Sequence, residues 1–363
     1  MGDHVGIVGT GLIGGSLARA FVRAGYEVRG YDRDETRLKV AIAEGVVSSG
    51  HTEIAEVAAD ADLVVVALPV SSVAEAVVAA LDAGAAVVTD VGSVKAPIVR
   101  AVEQARPDEA ARFVGGHPMA GSEQEGLSGA DPDLFQGATW VLTPTPTTDP
   151  GAFAKVRTLV GSLGADVLAV EPDHHDALVA VVSHVPHLAA GTLMLMAARE
   201  AHDASALLRL AAGGFRDMTR IAAGHPGIWP DICVENRDAI VAALDAFLEQ
   251  LTAMRSAVAA GDRTHLLQTL EAAREARVNL PAGATTADRL VELRIPVPDR
   301  PGVLAEVTTL AGQQGVNIVD LEIAHSVEGA AGVLVVMVAA DASDRFGAAL
   351  EEKGYRLSKR VVE

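Results

Sequence analysis

Val5-Gly6-Ile7-Val8-Gly9-Thr10-Gly11-Leu12-Ile13-Gly14 stands almost at the start of the chain. Its first four residues make a short apolar strand, the G-x-G-x-x-G run makes a tight turn, and residues 15–25 continue with helical spacing. Such a glycine run is weak evidence by itself. Here a strand precedes it, a helix follows it, and a second strand over Glu27–Tyr31 ends at Asp32, eighteen residues beyond Gly14. Glycines let the backbone of Gly9, Thr10, Gly11, Leu12, Ile13 and Gly14 come close to a pyrophosphate resting on the N–H groups of the helix start. A carboxylate at Asp32 would accept bonds from the adenosine ribose hydroxyls and repel a 2′-phosphate, which favours NAD over NADP; Arg33 weakens that preference.

The alternation of strand and helix continues outward from this turn. Residues 61–70 read as a buried strand ending in Leu68-Pro69-Val70, and 85–91 as another; later strands fall at 139–144 and 166–170, with a helix at 152–163 between them. Near-continuous apolar strands separated by helices predict an α/β domain over 1–171, a Rossmann-type doubly wound parallel sheet. Ligands in such sheets bind beyond the carboxyl ends of the strands. Leu68, Pro69, the segment Asp90-Val91-Gly92-Ser93-Val94-Lys95 and the loop Gly115-Gly116-His117-Pro118-Met119-Ala120-Gly121-Ser122-Glu123 should therefore meet in one cleft. His117 is the candidate base in it. Ser93 either bonds the substrate or caps a helix, and Lys95 either faces an anion or is a solvated surface charge.

Half of the 363 residues are hydrophobic and 21% are charged, enough for two or three domains with sizeable cores. The formal net charge of −19 argues against a nucleic-acid partner, which requires a basic surface. The single Cys233 offers neither a disulfide framework nor a metal cluster. The glycine motif follows the first residues with no basic leader, and no uninterrupted apolar run of about 18 residues stands out; the expectation is a cytoplasmic protein with no membrane partner.

From 172 to 283 the spacing becomes helical. His174 and His175 open the first helix as exposed residues, and Ser183-His184-Val185-Pro186-His187 puts two imidazoles on one helical face, His184 at the substrate and His187 structural. No H-E-x-x-H pattern or carboxylate cluster accompanies them, so no metal is expected. Arg216 and Arg220 lie four apart after a glycine pair. They either grip a carboxylate or form a salt-bridged surface.

Residues 289–363 read as β-α-β-β-α-β, a ferredoxin-like module. Its Asp299-Arg300-Pro301-Gly302 turn and Gly315-Val316-Asn317-Ile318 segment resemble the ACT domain. That resemblance implies an amino-acid effector, with Gly302 admitting it and Asn317 bonding its polar end, or else a dimerisation module with no ligand.

Taken in order, the glycine turn, the Asp90 to Lys95 motif, the His117 loop, the His184 segment and the 214–220 segment resemble the prephenate dehydrogenase family, in which a terminal ACT domain is a known attachment. The resemblance implies a homodimer and NAD-dependent oxidative decarboxylation of prephenate to 4-hydroxyphenylpyruvate in tyrosine biosynthesis. It implies His117 as base, with Ser93 orienting the hydroxyl that is oxidised. Arg220 would be the carboxylate clamp and His184 a pocket residue. Arg216 would reach a neighbouring subunit, and Glu123 would pair with Arg220. An arogenate dehydrogenase is the neighbouring alternative, and a non-catalytic dinucleotide or amino-acid sensor a remote one. A 3-hydroxy-acid dehydrogenase is disfavoured, because no lysine occurs between Lys155 and Lys353.

Overall fold

The computed structural model describes residues 4–121, 126–200, 213–224, 226–279, 290–298, 300–325 and 331–362. The chain folds as two compact units, Met1–Leu251 and Thr252–Glu363. The boundary expected near residue 171 falls inside the first unit, where the sheet gives way to helices.

In the first unit, strands β1 (His4–Val8), β2 (Glu27–Tyr31), β3 (Ser49–His51), β4 (Leu63–Val66), β5 (Val88–Asp90), β6 (Phe113–Pro118), β7 (Thr139–Thr143) and β8 (Asp166–Ala169) form one sheet in the order β3-β2-β1-β4-β5-β6-β7-β8. The first six run parallel, with the order reversing between β1 and β4. Such a reversal point is where open α/β sheets bind ligands. The outer pair departs from the all-parallel expectation: β7 is antiparallel to β6, and β8 follows β7. A parallel neighbour needs a long crossover, and the described part of the β6–β7 connection holds only the 3-10 turn Leu127–Gly129.

Helices α1 (Leu12–Arg23), α2 (Glu35–Ala43), α3 (Ile54–Ala58), α4 (Val70–Asp82), α5 (Ala96–Ala105) and α6 (Pro150–Ser162) cover the sheet. Alternation along β4 divides its apolar residues between the two faces. Leu63 and Val65 join Leu17 and Phe21 of α1 and Val156 of α6, while Val64 and Val66 join Val73 and Val77 of α4 and Ile98 of α5. Each fully buried side chain of this kind contributes about 1.5–3 kcal/mol relative to exposure. Residues 67–70, expected to extend the strand, instead leave it: Pro69 stands before α4, which begins at Val70.

Of the stretch expected as a glycine loop around His117, Gly115–Pro118 lies in strand β6. Glycine serves there for close approach rather than for turning. A Cβ on Gly115 would lie 2.4 Å from Thr143 Oγ1, and one on Gly116 would lie 2.6 Å from the Asp90 carbonyl oxygen. His117 sits one residue from the carboxyl end of this strand, opposite Val141 of β7.

Helix α7 (Pro172–Val179), a π-helical turn (Ala180–His184) and α8 (Val185–Glu200) run as one rod. Within its span Pro172–Arg199 an 18-residue stretch of mean hydropathy 1.6 is long and apolar enough to cross a membrane by length and composition alone, although polar residues such as His184 and His187 interrupt the span. Helices α9 (Gly213–Thr219), α10 (Trp229–Glu235), α11 (Arg237–Ala260) and α12 (Arg263–Val278) follow.

The second unit contains the terminal module. Strands β9 (Leu290–Pro298), β10 (Ile318–His325), β11 (Ala331–Ala339) and β12 (Ser358–Val362) form an antiparallel sheet in the order β10-β11-β9-β12. Leu293 and Ile295 of β9 pack with Val307 of α13 (Val303–Gln313) and Phe346 of α14 (Ala340–Glu352). This is the β-α-β-β-α-β order expected of an ACT domain.

The turn at 9–14 yields a test of the sheet's construction. A Cβ on Gly14 would lie 1.8 Å from the Gly9 carbonyl oxygen, whereas one on Gly11 would meet nothing within 4 Å. Gly14→Ala is expected to lower the unfolding free energy by roughly 2–3 kcal/mol, and Gly11→Ala to stay within about 1 kcal/mol of the parent. Urea unfolding of the two variants without cofactor checks both.

Candidate active site

Two cavities meet at Gly11, Ala67, Leu68 and Pro69 to form one groove across the carboxyl edge of the sheet. The first, of about 470 Å³, is bounded by Gly9, Tyr31, Asp32, Arg33 and Arg37. The second, of about 610 Å³, is lined by Leu12, Ile13, Ser93, His117, Ser183, His184, Trp229 and Asp231 among others. An adenosine-sized recess, a glycine turn and a catalytic-sized recess therefore follow one another. The fit to a dinucleotide is visible at Gly11, where a side chain would enter space that the protein itself leaves open. The first N–H groups of α1 begin there, and no side chain caps them.

Asp32 is 4% exposed. Its Oδ2 accepts from Thr10 N at 3.1 Å, Thr10 Oγ1 at 2.9 Å and Arg37 Nη1 at 3.0 Å, and its Oδ1 accepts from Asp34 N at 3.1 Å. Burial opposes the charge, but these donors outweigh it and hold the carboxyl below its usual range. Arg37, four residues beyond Arg33, is thus a cation at this recess that the sequence reading did not single out.

His117 lies half-buried in the second recess. Its Nδ1 is 2.9 Å from Nε2 of His175, and Nδ1 of His175 is 2.8 Å from Oδ1 of Asp176. The Asp176 carboxylate also accepts from the backbone N–H groups of Lys95 and Ala96, both at 2.8 Å, where α5 starts. His175 is 1% exposed, which corrects the expectation of a surface helix start. Burial, the neighbouring His175, Lys95 and His184 together hold the His117 imidazole well below its ordinary pKa. It is neutral near pH 7 and able to accept a proton.

His184 enters the same recess from the π-helical turn. Its Nδ1 is 3.1 Å from Asn236 Nδ2, which also donates to the Asp176 carbonyl at 2.9 Å. Burial lowers its pKa to about 4, despite the opposing pull of Asp176. His187 does not line the recess itself but stacks on Trp229, which does, with ring centroids 3.6 Å apart.

Lys95 does not face an anion in the groove. It is fully buried with its ammonium against the Asp90 carboxylate, and it does not line the recess. Asp90 also accepts from Gly92 N at 2.8 Å and Gly116 N at 3.0 Å, so the pair braces the Ser93 loop and β6. Ser93 does line the recess. Arg216 and Arg220 are exposed, and neither lines it. Helix α9 ends at Thr219, so Arg220 begins a 3-10 turn instead of sharing a regular α-helical face with Arg216. Glu123 lies outside the described residues. Among the described residues no group of three or more His, Cys, Asp or Glu is arranged to hold a metal ion.

In the terminal module Gly302 has φ 94°, a conformation suited to glycine, and borders a surface depression of about 570 Å³ with Glu306, Thr309, Gln313, Lys353 and Tyr355. Asn317 is exposed and outside that lining.

Three family models match in tandem: the prephenate dehydrogenase nucleotide-binding domain over residues 17–169, the prephenate dehydrogenase dimerization domain over 171–272, and the ACT domain over 291–352. The chain belongs to the prephenate dehydrogenase family. A prephenate dehydrogenase of Bacillus subtilis (strain 168) is 32% identical over 349 residues, covering 94% of this chain and 93% of that protein. The crystal structure of prephenate dehydrogenase from Aquifex aeolicus, in complex with hydroxyphenyl propionate and NAD+, superposes with a TM-score of 0.71 at 32% identity over 77% of this chain and 99% of the other. The Synechocystis arogenate dehydrogenase gives 0.67 at 29% identity over 76% and 98%.

Within this prephenate dehydrogenase fold, Asp90, His175, Asp176 and Asn236 were not among the site residues expected from sequence. Asp90 opens the Ser93 motif, and Asp176 follows the histidine pair directly. An Asp beside a His at a helix start was the signal available.

The buried imidazoles set a pH dependence. A histidine that protonates near 6.5 when unfolded, but only near 4 when folded, takes up its proton first in the unfolded state. Stability is then fully present above pH 6.5 and is lost as pH falls toward about 4. The urea midpoint is expected to drop between pH 7 and pH 4.5, and to drop less in His184→Gln.

Proposed function

We propose that the recess at His117 holds prephenate with its ring C4 hydroxyl at Nε2 of that imidazole. The observation that carries this reading is the pairing of Nδ1 with His175, which leaves Nε2 as the ring nitrogen available in a groove continuous with the glycine turn. The reaction is the family's: oxidation at C4 with loss of carbon dioxide, yielding 4-hydroxyphenylpyruvate in tyrosine biosynthesis. NAD, when bound, supplies the hydride acceptor.

His117 takes the hydroxyl proton as the C4 hydrogen leaves with its electron pair. When the ring carboxylate departs, its bonding electrons complete the aromatic ring and the oxygen becomes phenolate. His117 then returns the proton to that oxygen, so it ends as it began. Ser93 orients the same hydroxyl. Neutral His184 adds no charge that would compete for the substrate's carboxylates, and Arg220 clamps one of them. An exposed guanidinium in the helical half of this unit supports the clamp. Arg216 is assigned to a neighbouring subunit's site.

A homodimer is the proposed assembly, supported by the match to a dimerization domain and by exposed apolar side chains such as Val181, Val182, Leu195, Met196 and Phe247. The ACT domain is assigned an aromatic amino-acid effector, tyrosine first, at the Gly302 depression. A cytoplasmic location is supported by the use of the apolar rod as a wall of the groove: His175, Asp176 and His184 within it are bonded to β6, α5 and Asn236. Arogenate is a second reading, favoured by Asp231. This carboxylate lines the recess, accepts from Ser71 Oγ at 2.9 Å and could meet an ammonium where prephenate carries a keto group.

Purified protein given NAD with prephenate or with arogenate, followed by absorbance of reduced nicotinamide, decides between the two substrates. His117→Asn is expected to lower kcat by roughly 10²–10⁴ while leaving the Kd for NAD almost unchanged; near-normal turnover removes His117 as the base. Sedimentation at micromolar concentration should give twice the chain mass.

A further inference from the structure

We infer that His175 is a positioning residue that, together with Asp176, fixes the tautomer of His117 so that its unprotonated nitrogen faces the substrate. The inference rests on the reading of His117 as the base.

The direction of the chain follows from its end. Both oxygens of the Asp176 carboxylate accept backbone N–H groups, from Lys95 and Ala96, and Oδ1 also lies 2.8 Å from His175 Nδ1. A carboxylate can only accept, so the proton of that contact belongs to His175 Nδ1. A neutral His175 then has a bare Nε2, which must accept across the 2.9 Å contact, and the proton there belongs to His117 Nδ1. The remaining nitrogen of neutral His117, Nε2, is left bare. One carboxylate at a helix start thereby decides which lone pair the groove receives, two rings away.

The opposite tautomer of His117 would present an N–H to the substrate hydroxyl and could not remove its proton. Neutral imidazole has two tautomers of similar energy, so a ring with no fixed neighbour divides between them. The ring contact is edge-on, with centroids 5.1 Å apart and planes at 74°, which aims the His117 Nδ1–H at the His175 lone pair rather than at its face. Once His117 has taken the substrate proton, the same bond becomes charge-assisted and stronger. Orienting groups behind a working imidazole have comparable value elsewhere, about 10–100-fold for partners of metal-bound histidines.

The test compares His175→Leu, His175→Gln and His117→Asn in the full-length protein, each confirmed as folded by circular dichroism and by NAD binding. Leucine fills the space but accepts no bond. Glutamine offers an amide oxygen that can take the His117 Nδ1–H. His175→Leu is expected to lower kcat about 10²-fold with both KM values within about threefold of the parent. His175→Gln is expected to recover at least a tenth of the parent's kcat. Equal loss in the leucine and glutamine variants would assign the residue to packing and overturn the inference. So would a His175→Leu enzyme within threefold of the parent, or one changed only in KM. Full activity of His117→Asn would instead remove the base assignment itself, while an inactive His117→Asn beside an active His175→Leu would sink the positioning role alone.

Discussion

The Asp176 carboxylate at the start of α5 is the contact on which the site depends. It joins the helical half of the first unit to the sheet by accepting two backbone N–H groups that the helix itself cannot satisfy. The favourable end of the α5 dipole suits that negative charge. Burying a carboxylate is costly unless its bonds are made, and here two backbone donors and the His175 ring surround it. Its own carbonyl is used as well, by Asn236, which reaches on to His184. Three parts of the chain therefore meet at this residue, the start of α5, its own helix α7 and Asn236 at the end of α10, and both imidazoles of the recess are held by it at one remove.

Charge in this unit is distributed by burial rather than by abundance. The chain is strongly acidic overall, yet the catalytic recess is lined mainly by apolar residues and neutral rings. Lys95, the obvious cation near the recess, is spent internally on Asp90. That pair holds the Ser93 loop to β6 through Gly92 N and Gly116 N. Removing either partner would leave a bare charge in the core, which is why this side chain is structural despite its place in a functional motif. Asp32 shows the reverse case: a buried carboxylate with enough donors to remain charged.

Much of this was legible in the sequence. The strand, glycine turn, helix and Asp32 specified the cofactor half, because local spacing alone sets that motif. The terminal module was legible for a related reason: β9 alternates apolar and polar residues, and Gly302 marks the turn into α13. What escaped were features made by partners distant in sequence. The reversed pair β7 and β8 depends on how a connection closes, and β6 looked like a loop because its glycines serve neighbours that spacing does not reveal. His175 seemed exposed because a histidine near a helix start usually is. Its burial arises from His117, 58 residues away in sequence. Lys95 could be read either way until Asp90 and its enclosure were seen.

The π-helical turn at Ala180–His184 carries one more consequence. A turn of this kind holds an added residue relative to a regular helix, and each residue of an α-helix advances the face by about 100°. Everything beyond the turn is therefore out of phase with everything before it. His175 and Asp176 reach β6 and α5 from before the turn, and His184, its last residue, reaches Asn236. Loss of a single residue there would keep the rod helical and its composition unchanged, yet rotate one set of groups away from the other. The helix is thus intolerant of length change at one point for reasons that hydrophobicity and helix propensity do not record.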